Sequence, residues 1–185
     1  SRLRKSGVGC HVGGVFAGAV GYTDDLLLLA PSRSGMERLL KICEVYAKEN
    51  NLEFSTHPDP EKSKSKCIFV TGRSSNLAKP VPLTLCGKDL PWVVSASHLG
   101  HELHESGLMD HDARVKRAQF IDKSTEIRET FAFASPVEVL RAVKVFAGDL
   151  YGAMLWRLSG DLAQQVYHAW NTCVKLAWQV PRVTH

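Results

Sequence analysis

The sequence predicts an α+β fold: an antiparallel sheet with one packed helix, followed by an all-helical region. Three observations lead there. Residues 15–20 and 26–30 are apolar runs of strand length that meet at the adjacent acids Asp24 and Asp25, and Gly18 and Gly21 weaken a helical reading of the first run. Short apolar segments punctuated by Pro and Gly continue to about residue 105. From about residue 110 the apolar residues recur at helical spacing. The shift near residue 105 is the best domain boundary.

Composition narrows the function classes. A chain of 185 residues with 44% hydrophobic content can bury a real core. Its net charge of +4, from 23 Lys and Arg against 19 Asp and Glu, suits a polyanionic partner without requiring one. The five cysteines, Cys10, Cys43, Cys67, Cys86 and Cys173, are scattered and never in a Cys-x-x-Cys spacing, so they read as free thiols in a reducing compartment. No apolar stretch is long enough for a membrane span and no secretory signal is visible. The chain opens in mid-pattern, within a basic run of Arg2, Arg4 and Lys5, and reads as part of something longer.

The elements follow in order. Asp24 and Asp25 sit where the first hairpin turns or its second strand begins. Two charges about 4 Å apart at an effective dielectric near 20 repel by roughly 4 kcal/mol, and hard divalent cations bound by oxygen offset such repulsion. Most adjacent acids in turns are simply solvated; the four leucines after Asp25 tie this pair to a core strand. Ser34-Gly-Met-Glu37 has the pattern of a capping box for a helix with Leu39, Ile42, Cys43, Tyr46 and Ala47 on one side, stopping at Asn50-Asn51. Leu52 to Thr56 alternates like a strand, and Cys67 to Val70 reads as its antiparallel partner. Between them Lys62, Lys64 and Lys66 are spaced by two, which puts their ammonium groups on one face of an extended segment. Residues 73–82 are linker-like. Leu83 to Leu85, a turn at Gly87 and Leu90 to Val94 form a second hairpin, closed by His98-Leu-Gly-His101. Asp110 is placed to cap a helix reaching about Ile127. Ser135-Pro-Val-Glu138 is a capping box opening a helix with Val139, Leu140, Val143, Phe146, Ala147 and Leu150 on its apolar side. A last helix carries Leu162, Val166, Ala169, Trp170, Cys173 and Ala177.

In this order the parts resemble the second half of a reverse transcriptase from a LINE-type (non-LTR) retrotransposon. Gly21-Tyr22-Thr23-Asp24-Asp25 is similar to the catalytic hairpin of that family, usually Tyr-Ala-Asp-Asp in this group. The helix and the lysine-bearing segment after it resemble the next palm motif. Leu83-x-Leu85-x-Gly87 to His98-Leu99-Gly100 resembles the primer-grip hairpin, and Leu150-Tyr-Gly-x-x-Leu-Trp156 a segment beyond the thumb core. The resemblance implies a partial right-hand polymerase palm at 1–72, a linker and primer-grip-like hairpin at 73–105, and a helical thumb with the following connection at 106–185.

What the family does is then the expectation for this chain. The reaction is RNA-directed DNA synthesis: a primer 3′-hydroxyl attacks the α-phosphate of a deoxynucleoside triphosphate and pyrophosphate leaves. Two Mg2+ ions, with Mn2+ as a substitute, stabilise the attacking and leaving oxygens in such sites. The resemblance makes Asp24 the ligand shared by the metals and Asp25 a peripheral one. It puts Tyr22, Thr23, Lys64 and Lys66 near the nucleotide or primer end. Leu99 and Gly100 become the primer grip, and Arg114, Lys116 and Arg117 contacts to the nucleic-acid backbone. The implied partners are an RNA template, a DNA primer, and the fingers and first palm half of the polymerase, with no membrane. The implied location is intracellular, in the nucleus and in a cytoplasmic ribonucleoprotein of a eukaryotic retroelement. Thr23 departs from the usual alanine. The family's third metal-binding aspartate and its Gly-Gln-Gly-like loop are absent from the sequence, so this polypeptide alone is expected to be inactive.

Other readings of the same residues stand beside this one. The spaced lysines also suit a solvated face. His98, His101 and His104 form a series that suggests a metal, yet no acid or cysteine stands at characteristic zinc spacing, which favours surface histidines or a hairpin end touching a primer. Trp156, Trp170 and Trp178 fit helix packing better than base stacking. The alternatives to a polymerase portion are a non-catalytic nucleic-acid-binding fragment of a retroelement and an unrelated α+β domain whose paired acids are structural.

Overall fold

The structure, a computed structural model, describes residues 1–70, 80–148, 150, 152–156 and 160–180. Most of the linker expected at 73–82, and Tyr151 of the segment before Trp156, lie outside the described residues. The fold is α+β, with five α-helices and ladders of two strands each among the described residues. The chain divides into two units, Ser1–Leu99 and Gly100–His185, which assigns the strand after the Leu99–Gly100 turn to the helical part.

In the first unit a short helix, α1 (Arg2–Lys5), precedes two antiparallel hairpins. β1 (His11–Val12) pairs with β2 (Val15–Phe16), and β3 (Ala19–Tyr22) with β4 (Asp25–Leu28). The hairpins are joined by Cys10 N–H donating to the Leu29 carbonyl at 2.9 Å, while Leu29 N–H to the Gly18 carbonyl at 2.9 Å extends the β3–β4 pairing. Gly18 is required by that approach, because a Cβ there would lie 2.9 Å from the Gly9 Cα and 2.6 Å from the Phe16 ring. The palm-like sheet expected here is therefore a set of two-stranded ribbons among the described residues.

Helix α2 (Arg33–Glu49) buries Leu39, Cys43 and Ala47 at i, i+4, i+8, and Leu40 joins Leu83, Leu85 and Leu90 in the core on which Leu28 also packs. Its cap is a correction to the sequence reading. Ser32, in extended conformation, accepts the Gly35 amide at 3.2 Å, so the helix starts earlier than the proposed box. Ser34 is then helical and cannot adopt the extended backbone a cap needs, while Glu37 pairs with Arg33 at 2.8 Å. The stop at Asn50 is as read, with Asn50 N–H returning to the Tyr46 and Ala47 carbonyls.

The strand pair expected at 52–56 and 67–70 does not form. The Cys67 backbone pairs elsewhere, its N–H donating to the Pro91 carbonyl at 2.9 Å and its carbonyl accepting the Val93 amide at 2.8 Å. A local turn closes around His57-Pro-Asp-Pro: Asp59 N–H donates to His57 Nδ1 at 3.0 Å, His57 N–H to Ser63 Oγ at 3.2 Å, and Ser63 N–H to the Asp59 carbonyl at 3.0 Å. Ser65 N–H reaches the Ser55 carbonyl at 3.0 Å just before the second segment, and Cys67 makes a parallel bridge to Trp92. β5 (Thr84–Leu85) and β6 (Lys88–Asp89) close the expected hairpin through Cys86 and Gly87, both at positive φ, and β7 (Ser95–His98) follows.

The second unit begins with β8 (His101–His104) and continues through α3 (Asp110–Thr130), α4 (Pro136–Phe146), a 3₁₀ turn (Ala153–Leu155) and α5 (Asp161–Ala177). Phe120, Val139, Val143, Ala169 and Cys173 form its main core. The Ser135 and Glu138 capping box is present in both directions. Two details differ from expectation. The cap position of α3 is Met109, with no side-chain bond, and Asp110 lies in the first turn. Helix α4 stops at Phe146, which is exposed, so Leu150 packs on the core from outside the helix. All five cysteines are free. No helix among the described residues is long and apolar enough to cross a membrane.

Candidate functional site

The β3–β4 register sets the geometry of the paired acids. Tyr22 faces Asp25, Gly21 faces Leu26, Val20 faces Leu27 and Ala19 faces Leu28, leaving Thr23 and Asp24 as a two-residue turn. Side chains alternate along each strand, so Val20, Tyr22, Asp25 and Leu27 share one face of the ribbon. The opposite face carries Leu28 into the core. Val20 is 44% and Tyr22 64% exposed, so the face that holds Asp25 is largely open among the described residues. Thr23 adopts φ 51°, unusual for a β-branched residue. Its Oγ1 lies 2.7 Å from the Tyr22 carbonyl and 3.2 Å from Asp24 Oδ1, so one hydroxyl proton is shared between two acceptors.

The donor set at this tip is two carboxylates. Among the described residues no group of three or more His, Cys, Asp or Glu is placed to hold a metal ion. Magnesium demands near-octahedral oxygen coordination, and a two-ion centre must hold two such ions about 3.5–4 Å apart. The residues present do not fit a two-magnesium centre by themselves.

Lys62 lies in a turn and Lys64 in a bend, so the three lysines do not share the expected extended segment. Lys62, Lys64 and Lys66 are exposed while Ser63, Ser65 and Cys67 between and after them turn inward, and Lys62 pairs with Asp59 at 3.7 Å. Among the described residues no hydrogen bond or ion pair joins Lys64 or Lys66 to residues 22–25. A cavity of about 470 Å³ in this unit is lined by Glu37, Lys41, Glu44, Thr84, Cys86 and Gly87, not by the acids. There Glu44 accepts from Lys41 at 2.9 Å and from the Cys86 amide at 2.6 Å; these two bonds hold its carboxyl below the ordinary value. Burial pushes the Cys67 thiol up to about 11, which suits an inert cysteine.

Leu99 and Gly100 are the turn residues between β7 and β8, at φ 49° and 77°. The α3 cations differ in exposure. Ala113, Arg117, Phe120 and Ser124 lie along one stripe of the helix, so Arg117 is half-buried and its Nε is out of solvent without a hydrogen-bond partner among the described residues. Lys116 is half-buried too, and only Arg114 of the three is exposed. Residues 100–185 carry equal numbers of acidic and basic side chains, so the whole positive excess lies in Ser1–Leu99.

His101 and Trp156 converge on one acid. Asp112, in the first turn of α3, is fully buried. Its Oδ1 accepts the Glu102 amide at 2.9 Å, its Oδ2 accepts the Trp156 indole N–H at 2.7 Å, and His101 Nδ1 lies 3.6 Å from Oδ2. Burial, the largest single effect, would raise the Asp112 carboxyl; the Glu102 amide, the Trp156 indole and His101 together outweigh it and hold the group below its ordinary value. His104 stacks on His111 at 4.5 Å, and its Nδ1 lies 3.1 Å from the Ser106 amide. These rings are half-buried rather than surface histidines. Trp156 packs with Ala113 and Leu162 as expected of a core tryptophan, and Trp170 stacks on Phe120 at 6.2 Å while Trp178 is 47% exposed at the α5 terminus. The signal in the sequence was an acid two residues into a helix, which looks like any solvated first-turn carboxylate. No known protein family, curated protein or solved structure matches this chain.

Proposed function

We propose that the chain is the palm-and-thumb portion of an RNA-directed DNA polymerase of LINE type, contributing part of the acidic ligand set for nucleotide addition to a primer. The observation that carries this reading is the Tyr22-Thr23-Asp24-Asp25 tip of the β3–β4 ribbon. Its two acids are exposed beside an open apolar face, anchored to the core through Leu28. Solvated acids in a loop would have no such anchor. Two carboxylates do not make a two-ion centre, so catalysis on this reading needs a further acidic ligand from the rest of the polymerase, and the 185 residues alone extend no primer. The positive excess carried by Ser1–Leu99 supports a second reading, a non-catalytic fragment that binds nucleic acid.

A filter-binding series with an RNA template and DNA primer tests both. Affinity is expected to fall steeply with salt as phosphate contacts release counterions, and extension with Mg2+ or Mn2+ is expected to be undetectable. Absent or salt-insensitive binding refutes both readings and leaves an unrelated α+β domain. Metal-dependent extension by these 185 residues refutes the incompleteness of the site. In a polymerase that supplies the other palm half, Asp24→Asn is expected to abolish extension with primer-template affinity retained; wild-type extension removes Asp24 from the site.

A further inference from the structure

Asp112 is a buried charge that the proposed reaction leaves unused. A carboxylate taken out of water is costly unless donors surround it, and here the donors come from segments far apart in sequence. The Glu102 amide of β8 takes Oδ1, the Trp156 indole takes Oδ2, and the His101 ring stands beside the same oxygen. The packing leaves no slack: a Cβ on Gly152 would lie 1.9 Å from His101 Cε1.

The geometry points to Asp112 as a latch whose single carboxylate docks both the β8 backbone and the Gly152–Trp156 segment onto α3, so that the two segments dock and release together. The coupling comes from the charge. Removing one donor leaves a buried anion under-solvated, and the relief is water, which enters by lifting the other segment. Two hydrogen bonds to unrelated neutral acceptors would open independently. Gly152–Trp156 would then open with β8 as one local unit, below the cost of unfolding the helices.

Hydrogen exchange by NMR on the full 185-residue chain tests this. Trp156→Phe leaves the Glu102 N–H···Oδ1 bond chemically intact. The latch requires the Glu102 amide to exchange about tenfold faster or more in that variant, with the amide of Val143 in the α4 core nearly unchanged. An unchanged Glu102, or Glu102 and Val143 rising by the same factor, overturns the proposal. Asp112→Asn is the second variant, decisive if Trp156→Phe does not fold. It keeps an oxygen for Glu102 but removes the charge and the acceptor for Trp156. The indole N–H is then expected to exchange faster while Glu102 stays protected. Both rising together would place the coupling elsewhere than the charge and overturn the latch.

Discussion

Replacing Gly152 by alanine probes the crowding around His101 most directly. Gly152 stands at φ 80°, where an L-residue carries a penalty of roughly 1–2 kcal/mol. The new Cβ would lie 1.9 Å from His101 Cε1, 2.8 Å from Nδ1 and 3.0 Å from Nε2, so the whole ring must move rather than one atom. That ring is 17% exposed and sits 3.6 Å from a fully buried carboxylate, so displacing it disturbs Asp112 as well. Overpacking of this kind adds about 1–3 kcal/mol, for a total of about 2–5 kcal/mol. Urea denaturation followed by far-UV circular dichroism reads the loss as a lower midpoint at unchanged slope. The decisive control is the same substitution in a His101→Ala background, where the clash is gone and only the backbone penalty of about 1–2 kcal/mol should remain. An equal cost of Gly152→Ala in both backgrounds refutes the assignment of the clash to His101.

Two further outcomes follow from the same unit. The Asp112 carboxyl is held below its ordinary 3.8, so its ionised form stabilises the fold fully above that value, and the contribution is lost as pH falls through the lower folded-state value. The gap in thermal midpoint between wild type and Asp112→Asn should therefore narrow as pH is lowered from about 6 toward 3; a constant gap would show that the charge contributes nothing. Ser135→Ala removes the oxygen that accepts the Glu138 amide at 3.4 Å and should destabilise by about 1 kcal/mol. A shift in urea midpoint indistinguishable from that of a surface substitution would remove the cap from the account.

Local signals were legible where the physics is local. The Ser135 box, the helical periods of α3 to α5, the β3–β4 hairpin and the exposed alternation of Lys62, Lys64 and Lys66 depend on neighbours within a few residues, and the residues carry that information themselves. The errors have the same origin. Ser32 and Ser34 are both competent caps, and which one wins depends on where the chain leaves β4. The pairing of 52–56 with 67–70 failed because Pro91 and Val93, from a later segment, took the Cys67 backbone groups.

By itself, the sequence determined the α+β order, the free thiols, and a ribbon whose turn presents Tyr22, Thr23, Asp24 and Asp25. Tertiary structure alone decided that Asp112 lies buried between Glu102, Trp156 and His101, and that Arg117 faces inward. The reason is that burial and donor supply are set by segments tens of residues apart. A carboxylate in a first helical turn looks the same in sequence whether water or an indole N–H ends up beside it.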